Sequence, residues 1–430
     1  MNKTNVLIFP CGSQSGLDIY NALKFNVHFN IFGVSGQKDH SSFIFQNDRI
    51  DVSTKYYITN DSFLNYLNDI IMHWNIEYII PTHDIIARFL QEKAKEINAT
   101  IVCSPLETTR VAENKLLMYE KLKDEYYFPK VYDVNSNCIE FPVFLKPNIS
   151  AGGKGTRAVF DKNELETVKN SMDTINGYLA YEFLPGKEYT VDCFTDRKGK
   201  LLFVGPRTRE RVTNGITYHS TRVKLTEEIR KIADSLNEHF EFRGLWYFQI
   251  KEDRNGRLKF LEFSVRHAGT MTYYRQLGVN FPLLSLLDFM GYDIEILINN
   301  FDLILDRAIE TKYSAGIDYD TIYIDFDDTI IVNNQVNELV ISFIYKSINL
   351  KKKIILLTKH EKNIYDSLRK YKLSADIFDE IIVIDDNKNK YEYIKEDKAI
   401  FIDNYYFDRK SVFENCHIPV FDVDAVESLV

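Results

Sequence analysis

The chain has 430 residues with 53 Lys+Arg against 62 Asp+Glu, 45% hydrophobic and 27% charged residues, which excludes disordered, collagenous and supercharged classes. Its net charge of −9 offers no basic footprint, so nucleic acid is disfavoured as a main partner. Five widely spaced cysteines without a CxxC pair predict neither a disulfide framework nor a zinc site, and no apolar run approaches the roughly 18 residues of a membrane span; a cytoplasmic protein of two or three domains is expected.

From residue 1 to about 105, strand-like runs at 6–9, 29–33, 78–81 and 100–103 alternate with helical patterns that begin near Leu17, Phe63 and Ile85. This alternation predicts an α/β domain with a parallel sheet. The first strand enters a small-residue loop at 10–16 ahead of a helix, a place where anions bind well or where the chain simply turns.

Residues 106–315 change texture: a helix, a Gly-rich loop between strands, then antiparallel runs at 178–182, 188–195, 201–207, 218–224, 244–251 and 259–263. An α+β domain is expected here. Within it an apolar strand ends in Lys146-Pro147 and leads to a loop holding Gly152, Gly153 and Gly155. Glycines let backbone N–H groups approach phosphate closely and a strand-end lysine supplies positive charge, so the segment reads as a phosphate flap or a flexible hairpin loop. It is neither a Walker A sequence nor a GxGxxG turn. Further on, Glu182-Phe183-Leu184-Pro185-Gly186-Lys187-Glu188 joins two strands, and Gln249 and Glu262 sit on two later ones, the second ending in Ser264-Val265-Arg266. A Gln and a Glu on neighbouring strands present oxygens suited to Mg²⁺, and Arg266 is placed to neutralise a transferred phosphoryl group.

In that order the motifs, with Lys115 at a helix start, resemble those of the ATP-grasp superfamily, in particular carboxylate-amine ligases akin to carbamoyl phosphate synthetase and biotin carboxylase. The resemblance covers about residues 1–310. It implies an α/β domain followed by two lobes that clamp ATP. Lys115 and Lys146 would contact phosphates, Gly152, Gly153 and Gly155 would form the flap, Glu182, Phe183 and Leu184 the adenine hinge, and Glu188 would bind ribose. Gln249 and Glu262 would hold Mg²⁺ or Mn²⁺, and Arg266 would steady an acyl phosphate that a small-molecule amine attacks. Ser264 stands where the family usually has Asn, which puts the second metal's coordination in question. Arg207, Arg209 and Arg211 are expected either to bind the substrate carboxylate or phosphate, or to be a solvated strand end. His267 and the turn Thr82-His83-Asp84 are further candidates.

After residue 316 a second α/β alternation begins, with strands at 321–325, 353–358, 380–384 and 398–403. The first delivers Asp325 and Asp327, the second Thr358 and the fourth Asp403, followed by Asp408, with Lys390 or Lys388 between. Carboxylates at the carboxyl ends of parallel strands make a hard-cation site suited to phosphoryl transfer through an aspartyl phosphate. The pattern over residues 316–430 is similar to the haloacid dehalogenase (HAD) superfamily, a Rossmann-like fold. By that resemblance Asp325 is the nucleophile and Asp327 the acid/base. Thr358 and Lys390 hold the phosphoryl group, Asp325, Asp327 and Asp403 bind Mg²⁺, and the spacing leaves no room for a large cap. The whole is expected to be a bifunctional enzyme: an ATP-dependent ligase joining a carboxylate to an amine, itself phosphorylated, and a phosphatase acting on substrate or product, by analogy in surface polysaccharide biosynthesis. An ATP-grasp kinase, or a second domain that only binds, are the alternatives.

Overall fold

The computed structural model describes residues 3–149, 154–171, 177–213 and 215–430. They form two compact units, the first to Ile309 and the second from Glu310, ahead of the junction expected at residue 316.

In the first unit, strands β1 (Thr4–Phe9), β2 (Phe29–Ser35), β3 (Ile50–Val52), β4 (Tyr78–Pro81) and β5 (Thr100–Ile101) form an all-parallel sheet of order β3-β2-β1-β4-β5. Helices α1 (Gln14–Leu23), α2 (Phe63–Trp74) and α3 (Asp84–Glu92) connect and cover it. The central strand is apolar on both faces, with Val6, Leu7 and Ile8 fully buried, as a sheet clothed by helices requires. Strand β3 was missed because a three-residue run carries no readable period. Helices α4 (Leu106–Glu113) and α5 (Lys115–Leu122) lead to a four-stranded antiparallel sheet of β6 (Val131–Tyr132), β7 (Val143–Pro147), β8 (Arg157–Val159) and β9 (Tyr178–Glu182), with α6 (Lys162–Ser171) between the last two.

A second antiparallel sheet follows, of order β11-β10-β14-β15, from β10 (Glu188–Thr195), β11 (Leu201–Thr208), β14 (Gly244–Glu252) and β15 (Leu258–Ser264). The small sheet β12 (Glu210–Thr213), β13 (Ile216–Thr221) and β16 (Ile304–Asp306) stands beside it, and α7 (Glu227–His239), α8 (Thr272–Gln276) and α9 (Phe281–Phe289) complete the unit. Helix α7 turns Ile229, Ile232, Ala233 and Leu236 inward, at the i, i+3, i+4, i+7 spacing of an amphipathic helix.

The second unit is a parallel sheet of order β21-β20-β17-β22-β23, built from β17 (Thr321–Ile324), β20 (Lys353–Thr358), β21 (Glu380–Val383), β22 (Ala399–Ile402) and β23 (Val420–Phe421). Helices α10 (Glu338–Asn349), α11 (Ile364–Lys370) and α12 (Tyr406–Cys416) pack on it, and a hairpin of β18 (Ile331–Val332) and β19 (Gln335–Val336) follows the first strand. Its core of Ile322, Ile324, Phe343, Ile354, Leu356 and Ile400 is its own. Among the described residues no helix is long and apolar enough to cross a membrane.

Candidate functional sites

Residues paired across antiparallel strands project to the same face, and the sheet β11-β10-β14-β15 uses its two faces differently. One face carries Val191, Cys193, Phe248, Ile250 and Phe263 into the core with α7. The other carries a polar row, in which Arg207 pairs with Thr190, Thr190 with Gln249, and Gln249 with Glu262. A neighbouring row holds Asp192, Tyr247 and Ser264, and Glu188 lies opposite Lys251. The expected metal ligands Gln249 and Glu262 are thus side by side.

Lys146, on β7, faces this polar surface. Burial pulls its ammonium below the usual lysine range, Glu262 and Glu188 oppose that shift, and Lys115 and Lys251 add to it. Its Nζ lies 4.8 Å from the Tyr181 ring centroid, a cation–π contact. Lys115 comes alongside through local chemistry. Asn114 caps α5, and Asn148, just past β7, accepts from the backbone N–H groups of Lys115 through its carbonyl (3.1 Å) and Leu116 through its side chain (2.8 Å). The helix start and the strand end are tied together, and the two lysines with them.

The expected hinge follows β9. The Phe183 N–H donates to the Pro142 carbonyl at 3.3 Å, and Leu184 is buried. A Cβ on Gly186 would lie 2.4 Å from Cβ of Glu252, so only glycine permits this approach. Among the described residues Glu182 Oε1 and Thr190 Oγ1 are buried without a hydrogen-bond partner. Thr190 pairs with Gln249 and Gln249 with Glu262, so this row brings side-chain oxygens together in a set that fits Mg²⁺, while Glu182 lies on the other sheet opposite Val143. Gly155 adopts φ +75°, while Gly152 and Gly153 lie outside the described residues.

Two expectations change. Arg207 is not presented at a strand end: it is 1% exposed and grips buried Asp192 through Nε at 2.6 Å and Nη2 at 3.1 Å, with Nη1 on the Thr270 hydroxyl. A buried carboxylate needs a cation, and this arginine is committed to it. Arg209 pairs with Glu188 at 2.7 Å, and Lys251 lies 3.5 Å from the same carboxylate, so the expected ribose and substrate ligands hold one another. Arg211 is tied to Asp306 at 2.9 Å.

The turn Thr82-His83-Asp84 enters the site. Asp84 accepts from the Ser264 hydroxyl at 2.6 Å and from Arg266 Nε at 3.1 Å, which fixes the guanidinium over the Tyr247 ring at 5.6 Å. Arg266 Nη1 also donates to the His267 carbonyl at 3.0 Å. Asp84 is the first residue of α3, and the long-range pairing is what ties this candidate turn to Arg266.

In the second unit Asp325, Thr358 and Asp403 stand at the carboxyl ends of β17, β20 and β22, adjacent strands of one parallel sheet. Lys390 Nζ reaches Asp325 Oδ1 at 2.7 Å, Asp403 Oδ2 at 2.6 Å and Asp408 at 3.7 Å. All of the first three are buried, and Lys390 rather than exposed Lys388 occupies the site. Burial pushes the Asp325 carboxyl up to about 6, with Lys390 opposing and the Asp403 charge adding, and Thr358 offers its hydroxyl. Asp327 points outward, half-exposed, with Oδ2 2.8 Å from His360 Nδ1. His360, missed from the sequence, lies two positions past Thr358 in the same strand-end loop, and Ser367 sits 2.7 Å from its Nε2. Among the described residues no cluster of three or more His, Cys, Asp or Glu forms a ready-made cage. Two carboxylates drawn onto one ammonium nevertheless fit a cation that takes its remaining oxygens from phosphate and water. A cleft of about 630 Å³ is lined by Asp328, the β18–β19 hairpin, Asn404 and residues 422–424, and Asp325, Lys390 and Asp403 are not part of its lining.

Known proteins share the first architecture. The family described as "ATP-grasp in the biosynthetic pathway with Ter operon" matches residues 174–303. A formate-dependent phosphoribosylglycinamide formyltransferase of Prochlorococcus marinus (strain NATL1A) is 22% identical over 201 residues, 44% of this chain and 52% of that protein. The chain spans about half the length of this curated relative. The biotin carboxylase domain of Hydrogenobacter thermophilus 2-oxoglutarate carboxylase, a complex with MgADP and bicarbonate, superposes with TM-score 0.58 at 16% identity, over 71% of this chain and 74% of that one. The L-amino acid ligase of Bacillus licheniformis gives 0.52 at 16% identity, over 67% and 74%. Residues 174–303 thus match an ATP-grasp family, and about two thirds of the chain shares the fold of these solved structures.

Proposed function

We propose that the first unit is an ADP-forming ligase that joins a carboxylate to an amine. The observation that carries this reading is the gathering of Lys146, Lys115, Gln249, Glu262 and Arg266 at one polar sheet face. A carboxylate oxygen attacks the γ-phosphorus of ATP and the bond to ADP breaks. The amine then attacks the acyl carbon, loses its proton and expels phosphate. Lys115 and Lys146 offset the charge of the phosphate chain, and Arg266, held by Asp84, steadies the acyl phosphate oxygens. Gln249 and Glu262 would hold Mg²⁺, which would supply positive charge against the phosphates of ATP. The likeness to a biotin carboxylase and an amino acid ligase supports ATP and a small acid as substrates.

The second unit reads as a phosphomonoesterase, supported by Lys390 held between Asp325 and Asp403. Asp325 attacks phosphorus, the alcohol leaves with a proton from Asp327, and water hydrolyses the aspartyl phosphate. The strand spacing, which leaves no room for a large cap, favours a bulky substrate over a small one. In sequence, the two units would join a phosphorylated amine to a carboxylate and then remove the phosphate. The deciding experiment screens carboxylate and amine pairs, free and phosphorylated, for ADP formation, with mass spectrometry of the product. ADP that appears without any pair, or with an acceptor that merely gains phosphate, would replace the ligase by an ATPase or a kinase.

A further inference from the structure

Beside Arg266 the chain has built a second cationic pocket that the ligase chemistry does not use. Ser15, at the start of α1, donates to the His267 carbonyl at 2.8 Å and brings the helix against the turn 267–270. One turn on, Asp18 accepts from Arg307 Nη2 at 3.2 Å through Oδ2 and from Gln14 through Oδ1, while its backbone carbonyl accepts from Arg275 Nη1 at 3.2 Å. Arg307 also approaches Gly269 so closely that a Cβ there would lie 3.3 Å from Nη1.

Three polar atoms around this turn are buried and have no hydrogen-bond partner among the described residues: His267 Nδ1, Arg275 Nε and Arg307 Nη1. His267 itself is 2% exposed. The charges do not balance either. Arg207 is matched by Asp192 and Arg266 by Asp84, but Arg275 and Arg307 share the single carboxylate of Asp18. A buried polar atom left without a partner is costly, so a turn that keeps three of them beside a surplus positive charge is suited to a ligand that supplies the missing partners.

We infer that Arg275, Arg307 and His267 form a subsite for an oxyanion group of the ligase's acceptor substrate, a carboxylate or phosphate distinct from the reacting group and from the phosphates of ATP. Two guanidinium N–H groups and an imidazole nitrogen lie buried around the turn 267–270, and the planar forks suit the paired oxygens of such an anion. Its place next to Arg266 puts it on the acceptor side of the reaction centre. The inference rests on the ligase reading for the identity of its ligand but not for the existence of the site.

Titration calorimetry and thermal shift on the full chain test it, with the nucleotide site filled by Mg²⁺ and a non-hydrolysable ATP analogue, using inorganic phosphate and acetate as probes. One of these anions should raise the melting temperature, more strongly for phosphate if the acceptor is phosphorylated and for acetate if it carries a second carboxylate. Arg307→Gln and Arg275→Gln should each weaken that anion at least tenfold while the nucleotide analogue still binds. Gly269→Ala, which keeps every charge and crowds Arg307, should weaken it too and covers the case in which an arginine variant fails to fold. No response to either anion, or a response that survives all three substitutions, overturns the subsite. Loss of nucleotide binding in the unaltered chain would instead overturn the ligase reading.

Discussion

The Ser264 hydroxyl donates to Asp84 Oδ1 at 2.6 Å, across 180 positions of sequence. The other Asp84 oxygen holds Arg266, so the first residue of α3 sets the angle of the guanidinium that the proposed ligase chemistry uses. Asp84→Asn should therefore slow turnover by roughly 100-fold, the cost of a misplaced catalytic group, while the KM for ATP changes little. Steady-state kinetics of ADP release would check it, and a parallel loss in ATP affinity would show that Asp84 supports the nucleotide pocket instead.

Much of this was legible in the sequence, for definite reasons. Strands such as Glu188–Thr195 and Lys353–Thr358 match their expected bounds because the first alternates apolar and polar residues after a Pro-Gly turn and the second is an apolar run with clear ends. The pairing of Gln249 with Glu262 was anticipated because each lies on its own strand within one antiparallel region, and Asp325, Thr358 and Asp403 because parallel strands share a carboxyl edge. What stayed hidden depends on partners distant in sequence. Asp192 and Asp18 look like ordinary surface acids until the fold sets each beside an arginine, Asp84 was a candidate whose partner Arg266 the sequence did not show, and Arg207 looked available until Asp192 claimed it. His360 carried no period or spacing of its own.

His267 supplies a pH dependence. Burial pushes its imidazole down to about 3, and Arg275, Arg207 and Arg266 push the same way. A histidine depressed in the native state contributes stability above its ordinary pKa of about 6.5 and loses it as pH falls towards the native value. Between pH 7 and pH 5 this amounts to about 2 kcal/mol. His267→Gln should narrow by that much the gap between urea-melt stabilities measured at the two pH values without added anions. An unchanged gap would mean that the imidazole is solvated.

The second unit should fold alone. Its sheet is clothed by its own helices, and Ile322, Ile324, Phe343, Ile354 and Leu356 bury one another. A fragment of residues 310–430 is expected to be soluble and to melt cooperatively, within a few degrees of the corresponding transition in the full chain. A fragment that aggregates or melts without a transition would show that the unit depends on the rest of the chain.

The two proposed chemistries share no residue, and this permits a separation. Asp325→Asn preserves shape and leaves Lys390 its bond to Asp403 at 2.6 Å, so the core should survive. It removes the negative oxygen that attacks phosphorus, and hydrolysis of p-nitrophenyl phosphate should fall to background. ADP formation should continue at the normal rate, and the ligated product should accumulate with its phosphate still attached. Glu262→Ala removes a proposed metal ligand from the polar row rather than a packing residue, so ADP formation should stop while p-nitrophenyl phosphate is still cleaved. Mass spectrometry of the product and phosphate release read the two outcomes independently. If Asp325→Asn halts ATP consumption as well, the units are coupled and two autonomous catalysts in series is the wrong description. If it leaves phosphate release intact, the buried Asp325, Lys390 and Asp403 cluster is a structural or binding element.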